Sequence, residues 1–164
     1  MAEQTEKSRF LELVEKNQDI IHKTCRLYAG NCEDREDLAQ EIVCQLWKSF
    51  RNFRGHSKFS TWMYKIAINT ALLSLRRNRS RDRARSLSEP HARATTGSED
   101  HEGQEAIVRL YAAINQLREL DRAIILLYLE QLSYREIAEV IGLSESNVSV
   151  KLVRIKKTLR ELLS

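Results

Sequence analysis

A chain of 164 residues with 42% hydrophobic and 30% charged side chains can form one ordinary domain or two small ones. Five glycines and one proline argue against barrels and folds rich in tight turns, and favour helices. The longest apolar stretches, such as residues 123–129, are too short to cross a bilayer, and the first residues contain no apolar signal core. We therefore expect a cytoplasmic protein without membrane insertion.

The net charge of +4 is distributed unevenly along the chain. Residues 1–60 and 101–164 are each balanced, so the whole excess of positive charge lies within residues 61–100. A second basic stretch, residues 151–160, contains five cations and no acidic residue. Two basic stretches separated in sequence predict two contacts with a polyanion.

The cysteines Cys25, Cys32 and Cys44 form no CxxC pair and are odd in number. In a reducing cytoplasm we expect them to be small buried hydrophobic residues. A metal site would have to use His22 and Cys25, which share a helix face, but no second pair of ligands lies nearby in the sequence. We therefore expect no metal and no other cofactor.

Three helices are predicted in the first half of the chain. The first covers about 8–29 and ends at Gly30. The second covers about 34–51, with acidic residues in its first turn, and the third about 59–77. Apolar spacing predicts inward positions at Phe10, Val14, Asn17, Ile21, Cys25, Tyr28, Leu38, Ile42, Leu46, Phe50, Phe59, Trp62, Met63, Ile66, Thr70 and Leu73.

Residues 78–103 differ from the rest in composition. They are rich in Arg, Ser and Ala, contain the only proline, and have Leu87 as their single large aliphatic residue. Such a segment cannot bury enough apolar surface to offset the entropy lost on ordering. We predict a flexible linker between domains 1–77 and 104–164, whose first few residues can extend the third helix.

The second half again favours helices, at about 104–117 and 121–131. Ser133 and Glu136 then fit a capping box that starts a short helix, and Gly142 supplies a turn. On the first of these helices the inward positions are Ile107, Leu110, Ile114 and Leu117.

The next residues predict a helix-turn-helix. Ala138 lies four residues before Gly142 and Val148 six after it, which lets two helices cross closely. Ser144 can cap the final helix, which runs to about Leu163. Its buried stripe is predicted to comprise Val148, Leu152, Ile155, Leu159 and Leu162.

A second stripe on the final helix consists of Asn147, Val150, Lys151, Arg154 and Thr158, about 100° from the buried one. Asn147 and Lys151 can reach base edges in DNA, and Arg154 and Lys157 can pair with phosphates. The alternative is a solvated basic face on a structural helix, and the turn pattern upstream favours DNA binding.

On these residues the sequence resembles the extracytoplasmic-function (ECF) group of bacterial sigma-70 family factors. DREDLAQEIVCQLW is similar to the family's polymerase-binding helix, FRGHSKFSTWMYKIAINTALLSLRR to its promoter-melting and minus-10 segment, and LSYREIAEVIGLSESNVSVKL to its minus-35 reader. The resemblance implies an all-α fold, in which a three-helix bundle (region 2, residues 8–77) and a helix-turn-helix domain (region 4, residues 104–163) are joined by a flexible linker.

The resemblance also implies three sets of site residues. The set that binds the clamp of core RNA polymerase is Asp37, Leu38, Gln40 and Glu41. The minus-10 set comprises a loop that captures a flipped base and a helix face, namely Phe53, Arg54, Gly55, His56, Ser57, Lys58, Lys65, Asn69, Arg76 and Arg77. The minus-35 set is Ser146, Asn147, Val150, Lys151, Arg154 and Lys157. Trp62 is interpreted as core.

The chain departs from the family at Arg118, where members usually have a proline, and within residues 147–150 of the final helix. The implied partners are core RNA polymerase, promoter DNA and an anti-sigma factor. The four histidines have no serine or carboxylate constellation around them in the sequence, so we expect no enzymatic activity.

Two alternatives remain open at this point. One is a dimeric helix-turn-helix regulator that binds a palindrome, which leaves residues 52–77 without a role. The other is an adaptor that binds polymerase or a regulator without touching DNA.

Overall fold

The structure, a computed structural model, describes residues 1–84 and 101–164. These residues form two compact units, one on each side of the gap. Every regular element within the two described ranges is helical, so the predicted all-α class is confirmed.

Unit 1 contains four α-helices and a short 3-10 turn at Phe50–Asn52. Its helices are α1 (Ala2–Lys16), α2 (Gln18–Tyr28), α3 (Cys32–Ser49) and α4 (Phe59–Ala84). The helices α2, α3 and α4 pack against one another and form the predicted three-helix bundle. The helix α1 is an addition to that prediction.

The predicted helix over 8–29 is wrong, because the chain breaks at Asn17 and forms α1 and α2 instead. Asn17 leaves the helical conformation with φ −117° and ψ 21°. Its side-chain amide donates to the Leu13 carbonyl at 2.8 Å, and its backbone amide donates to the Val14 carbonyl at 3.1 Å. An asparagine side chain competes with the backbone for such bonds, which favours a break over a continuous helix.

The buried face of α4 differs from the predicted one. Met63 and Thr70 are buried as predicted. Ala67 and Ile68, which were not predicted to face inward, are at most 1% exposed, whereas Leu73, predicted to face inward, is 57% exposed. The buried stripe is rotated by roughly 100°, one residue's turn of a helix, from the predicted stripe. Ala67, Ala71 and Tyr64 share this face with Met63 and Ile68, and α2 and α3 both pack against α4.

All four phenylalanines and both tryptophans of the chain belong to one cluster in unit 1. Consecutive rings in the cluster have centroids 5.0–6.4 Å apart. The cluster joins α1, α3, the 3-10 turn and the start of α4 through Phe10, Trp47, Phe50, Phe53, Phe59 and Trp62. Because Phe53 is a member, the loop after the 3-10 turn is anchored to the core at its first residue.

The three cysteines do not share one environment. Cys25 is buried as expected, and burial raises the pKa of its thiol to about 11, against a lowering by the positive charge of Arg35. Cys32 and Cys44 are exposed, so the expectation of burial is wrong for both. Each lies on α3 away from the stripe of Leu38, Ile42 and Leu46, which fills the core instead.

Unit 2 consists of α5 (His101–Ile114), α6 (Glu119–Leu129), α7 (Tyr134–Ile141) and α8 (Glu145–Leu163). The helix α8 packs against each of the other three, and α6 also packs against α7. Ile107 and Leu162 are 48% and 39% exposed, so their predicted inward positions are wrong. Leu162 lies in the last turn of α8, and Ile107 lies within residues 105–109 of α5, all of which are exposed.

The predicted linker over 78–103 is helical at both ends, because α4 continues to Ala84 and α5 begins at His101. The extension of the third helix is thus confirmed, and the helical part is longer than predicted. The remaining linker residues, 85–100, lie outside the described residues. None of the helices in the described part of the chain is both long enough and apolar enough to cross a membrane.

Candidate nucleic-acid interface

The predicted helix-turn-helix is present in unit 2. Gly142 ends α7 in the left-handed conformation, with φ 81° and ψ 35°. The backbone amides of Gly142 and Leu143 both donate to the Ala138 carbonyl, at 2.8 and 3.1 Å. Ala138 and Val148 are buried where α7 packs against α8, so the small and apolar residues lie where the sequence predicted.

Side-chain caps set where the two helices begin. The Glu136 amide donates to the Ser133 hydroxyl at 3.1 Å, and the Ser133 amide donates to the Glu136 carboxylate at 2.8 Å, which confirms the capping box. The Asn147 amide donates to the Ser144 hydroxyl at 3.2 Å, which confirms the second cap. These bonds satisfy helix amides that have no partner within the helix, and they define the first turn of α8.

The helix α8 has one buried and one exposed face. Val148, Leu152, Ile155 and Leu159 are 0–7% exposed and form the predicted inward stripe. On the outer face, Val150 is half exposed and can contact a thymine methyl group. The other exposed members of the predicted minus-35 set are Ser146, Asn147, Arg154 and Lys157. This combination of polar, cationic and apolar side chains suits the major groove of DNA.

Two of the five cations in residues 151–160 are engaged by α6. Lys151 Nζ lies 3.6 Å from Asp121 Oδ1. Lys156 Nζ donates to the Tyr128 hydroxyl at 2.9 Å and lies 4.0 Å from the centre of its ring. The basic stretch is therefore less uniform than its sequence suggests, and Arg154, Lys157 and Arg160 are its exposed cations.

In unit 1 the loop over residues 53–58 combines a fixed aromatic residue with exposed cations. Phe53 is half-buried, with its ring 5.5 Å from that of Phe59 and 5.1 Å from that of Trp62. Gly55 has φ 76°, a conformation that favours glycine. The outer part of the loop exposes Arg54, His56 and Lys58, while Ser57 is half-buried. Phe53 and Trp62 thus support the loop more than they present open stacking surfaces.

The predicted minus-10 residues of α4 do not all share a face. Lys65, Asn69 and Arg76 are exposed on one side of the helix. Leu73, which was wrongly predicted to face inward, lies on that side too and provides an apolar contact among polar groups. Arg77 points elsewhere and forms an ion pair with Glu41 of α3. A helical projection of the sequence would have found the exposed position of Leu73 if alanines had been counted as core residues.

The predicted polymerase-binding residues of α3 do not all lie on its outer face. Asp37 and Gln40 are exposed, and Glu41 is half-buried beside Arg77. Leu38 is 5% exposed and packs in the bundle core, and its predicted contact with polymerase stays a prediction. The exposed Cys44 lies one and two turns beyond Gln40 and Asp37 on the same face.

The start of α6 resolves the departure from the family at Arg118. This residue has φ −62° and ψ 152°, and a proline has the same φ. The Arg122 guanidinium donates to the carbonyls of Asn115 and Leu117, at 2.8 and 3.0 Å. The turn between α5 and α6 is therefore held by Arg122, and α6 starts in the ordinary way without the proline.

Two helical units, one of which is a capped helix-turn-helix with an exposed cationic face, define a helical DNA-binding protein. Family models then match the chain in both units. The model "Sigma-70 region 2" matches residues 13–81, and the model "Sigma-70, region 4" matches residues 107–159.

Individual relatives agree with the family models. The chain is 31% identical to the RNA polymerase sigma-H factor of Pseudomonas aeruginosa, over 96% of this chain and 88% of the relative. It is 30% identical to the ECF RNA polymerase sigma factor SigE of Mycolicibacterium smegmatis, over 93% of this chain. The chain belongs to the ECF group of the sigma-70 family.

The chain is shorter than some of these relatives. The match covers 61% of the length of the Mycolicibacterium SigE, and a match of 68 residues covers 18% of the SigG factor of Mycobacterium tuberculosis. Among solved structures, it is similar to the sigma factor RpoE of Bartonella quintana in complex with the anti-sigma factor NepR. The TM-score is 0.68 at 23% identity, and the match covers 96% of this chain and 95% of that one, which shows the fold.

Proposed function

We propose that this protein is an alternative sigma factor that binds core RNA polymerase and directs initiation at promoters with defined minus-10 and minus-35 elements. The observation that carries the proposal is the capped helix-turn-helix with Asn147, Val150 and Arg154 on its outer face. Unit 2 then reads the minus-35 major groove through α8. Unit 1 holds the opened minus-10 strand through loop 53–58 and the outer face of α4.

The protein supplies binding and positioning, while the polymerase performs the chemistry. Its site of action is the cytoplasm, because core polymerase and chromosomal DNA are found there in bacteria. Opening DNA requires unstacking of bases at a cost of a few kcal/mol per step, so contacts with polymerase have to offset that cost. The chain alone is therefore expected to bind promoter duplex weakly.

An anti-sigma factor is the proposed regulatory partner. Support comes from the related RpoE, which was solved in complex with the anti-sigma factor NepR. Such a partner inhibits by occupying surfaces that polymerase or DNA needs. In this protein the anti-sigma factor would occupy the outer face of α3 and loop 53–58.

Run-off transcription with purified core polymerase and mapped start sites tests the proposed function. The full chain should direct core enzyme to defined start points that core enzyme alone does not use. Sedimentation and footprinting without polymerase provide the second arm. A stable homodimer on symmetric half-sites, with no effect on start-site choice, would contradict the proposal and favour a dimeric regulator.

Replacement of Gln40 by alanine is expected to weaken binding to core polymerase roughly 2- to 12-fold, because a side-chain hydrogen bond at an interface contributes about 0.5–1.5 kcal/mol. Promoter preference should not change, since Gln40 belongs to α3 and is not among the residues proposed to contact DNA. Titration of labelled chain with core enzyme measures the affinity. The matched control is Gln18→Ala, which removes an exposed amide from α2; equal losses for both variants would refute the α3 assignment.

The native cysteines offer a footprint of the same face. Cys44 and Cys32 are both exposed on α3, but they lie on different sides of the helix. We expect core polymerase to slow alkylation of Cys44 at least severalfold and to leave Cys32 unchanged. Cys25 should react slowest throughout, because burial raises the pKa of its thiol to about 11 and the thiolate is the reactive form. Peptide mass spectrometry gives the three rates separately, and equal protection of Cys32 and Cys44 would count against the assignment.

Two residues of α8 should affect DNA binding in different ways. Asn147→Ala is expected to change the preferred minus-35 sequence, with a loss of about 1–3 kcal/mol at one position. Arg154→Ala should weaken binding to all sequences and reduce the magnitude of the salt slope by about 1, as loss of a phosphate contact does. Competition binding of holoenzyme to a library of minus-35 variants at several salt concentrations separates the two effects. An unchanged preference after the Asn147 substitution would remove the basis for its role.

A further inference from the structure

The first turn of α6 places a carboxylate beside the helix proposed to enter the major groove. Asp121 Oδ1 lies 3.6 Å from Lys151 Nζ, and α6 packs against α8. The Lys151 side chain is 38% exposed and that of Asp121 is 22% exposed, so both groups remain accessible to solvent. The pair connects a lysine of the outer face of α8 to a helix that lies behind it.

Resting on the proposed function, we propose that Asp121 is a positioning residue for promoter recognition. Its carboxylate orients the Lys151 ammonium and neutralises its charge before DNA arrives. Lys151 then contributes to selection of the promoter sequence and adds little to attraction for phosphates of any sequence.

The physical basis is the difference between a paired and an unpaired lysine. An unpaired lysine is a flexible point charge that pairs with any phosphate and releases counterions, whatever the sequence. A lysine whose charge is already balanced by a carboxylate releases few counterions on binding, and one held in a fixed orientation reaches a base only where the DNA places acceptors within its range, such as N7 and O6 of guanine. At 3.6 Å the pair is longer than a hydrogen bond, so Lys151 can leave it without breaking one.

Other cations of α8 provide the contrast. Arg154 and Lys157 are exposed, and within the described part of the chain neither is paired with a carboxylate. They suit phosphate contacts, which fix the position of the protein on the duplex. Arg154 and Lys157 thus serve general attraction to phosphates. Lys151 does not, because the carboxylate of Asp121 balances its charge.

The substitution Asp121→Asn tests the proposal, because it keeps the size of the side chain and removes its charge. Holoenzyme assembled from the full chain is titrated onto a promoter and onto the same duplex with a scrambled minus-35 element, at several salt concentrations. We expect affinity for the scrambled duplex to rise about 3- to 10-fold and its log K against log salt slope to steepen by about 0.9. The preference for promoter over scrambled duplex should fall by a similar factor.

A double-mutant comparison assigns the effect to Lys151. In the wild-type background Lys151→Ala should reduce promoter preference and leave the slope on the scrambled duplex unchanged. In the Asp121→Asn background the same change should return the steepened slope to its wild-type value. Glu161→Gln is the matched control, because it removes a carboxylate about 15 Å further along α8, and it should shift neither quantity appreciably.

The outcomes that overturn the proposal are distinct from failure of the proposed function. If wild-type holoenzyme prefers the promoter but Asp121→Asn changes neither slope nor preference, the positioning role is wrong and the proposed function stands. If the variant loses affinity for both duplexes and unfolds at a lower temperature, Asp121 is structural and the proposal is likewise wrong. If wild-type holoenzyme does not distinguish the two duplexes, the proposed function itself fails.

Discussion

Truncation of Leu46 to alanine is expected to lower the free energy of unfolding of unit 1 by about 2–5 kcal/mol. Leu46 is 0% exposed in α3, the helix that packs against both α2 and α4. Alanine in its place loses the transfer free energy of the removed atoms and leaves a cavity that the close-packed bundle cannot fully close. This loss is a large part of the stability of a small domain.

The intrinsic fluorescence of the chain makes that measurement specific to unit 1. Both tryptophans, Trp47 and Trp62, lie in the aromatic cluster of this unit, so their emission during denaturant unfolding reports on it. Leu11→Ala is the matched control, because Leu11 is 52% exposed on α1 and its truncation should cost less than about 0.5 kcal/mol. Similar costs for the two variants would mean that α3 does not form the centre of this core.

The second large effect is expected at the turn of the helix-turn-helix. Gly142→Ala should destabilise the pair α7 and α8 by about 1–2 kcal/mol, because Gly142 has φ 81° and a Cβ is unfavourable in the left-handed region. A Cβ at this position would meet no atom within 4 Å, so the cost comes from the backbone conformation and not from a clash. Weaker minus-35 binding should follow, since the turn sets how α8 is presented.

Gly30→Ala is the matched control for Gly142→Ala. A Cβ at Gly30 also meets open space, but Gly30 does not have a positive φ. Its replacement should be neutral or slightly stabilising, because alanine restricts the unfolded chain. Hydrogen exchange of peptides covering residues 133–150 localises the effect to the turn. Equal protection in the two variants would show that the left-handed turn is not required there.

Elements defined by contacts within a few residues were predicted correctly from the sequence. Ser133, Glu136, Gly142 and Ser144 act on partners three or four residues away, so the caps and the turn could be identified without knowledge of the fold. The inward stripe of α8 was predicted for the same reason, because helical periodicity is a local property. The break at Asn17 also had a local signal, an asparagine within a helical pattern, which the apolar periodicity outweighed.

The sequence did not determine which apolar residues of a helix are buried and which are exposed, because this depends on how the helices pack. Leu38 and Leu73 are both leucines in amphipathic helices, yet one is 5% and the other 57% exposed. The difference arises because α2 and α3 cover the alanine-containing face of α4 and leave Leu73 outside. Within α4 the large apolar residues alone do not identify which side the neighbouring helices cover, and only Ala67 and Ala71 distinguish that side.

The amino-acid order by itself determined the helical class, the two-part organisation and the helix-turn-helix, because caps, turns and helical periodicity act over distances of a few residues. Only the tertiary structure decided which cations are paired with a carboxylate from another helix. The pairs Lys151–Asp121 and Arg77–Glu41 join residues from different helices, and such pairs form only when packing brings the two helices together. The charge pattern of each surface proposed to contact DNA is therefore a product of helix packing.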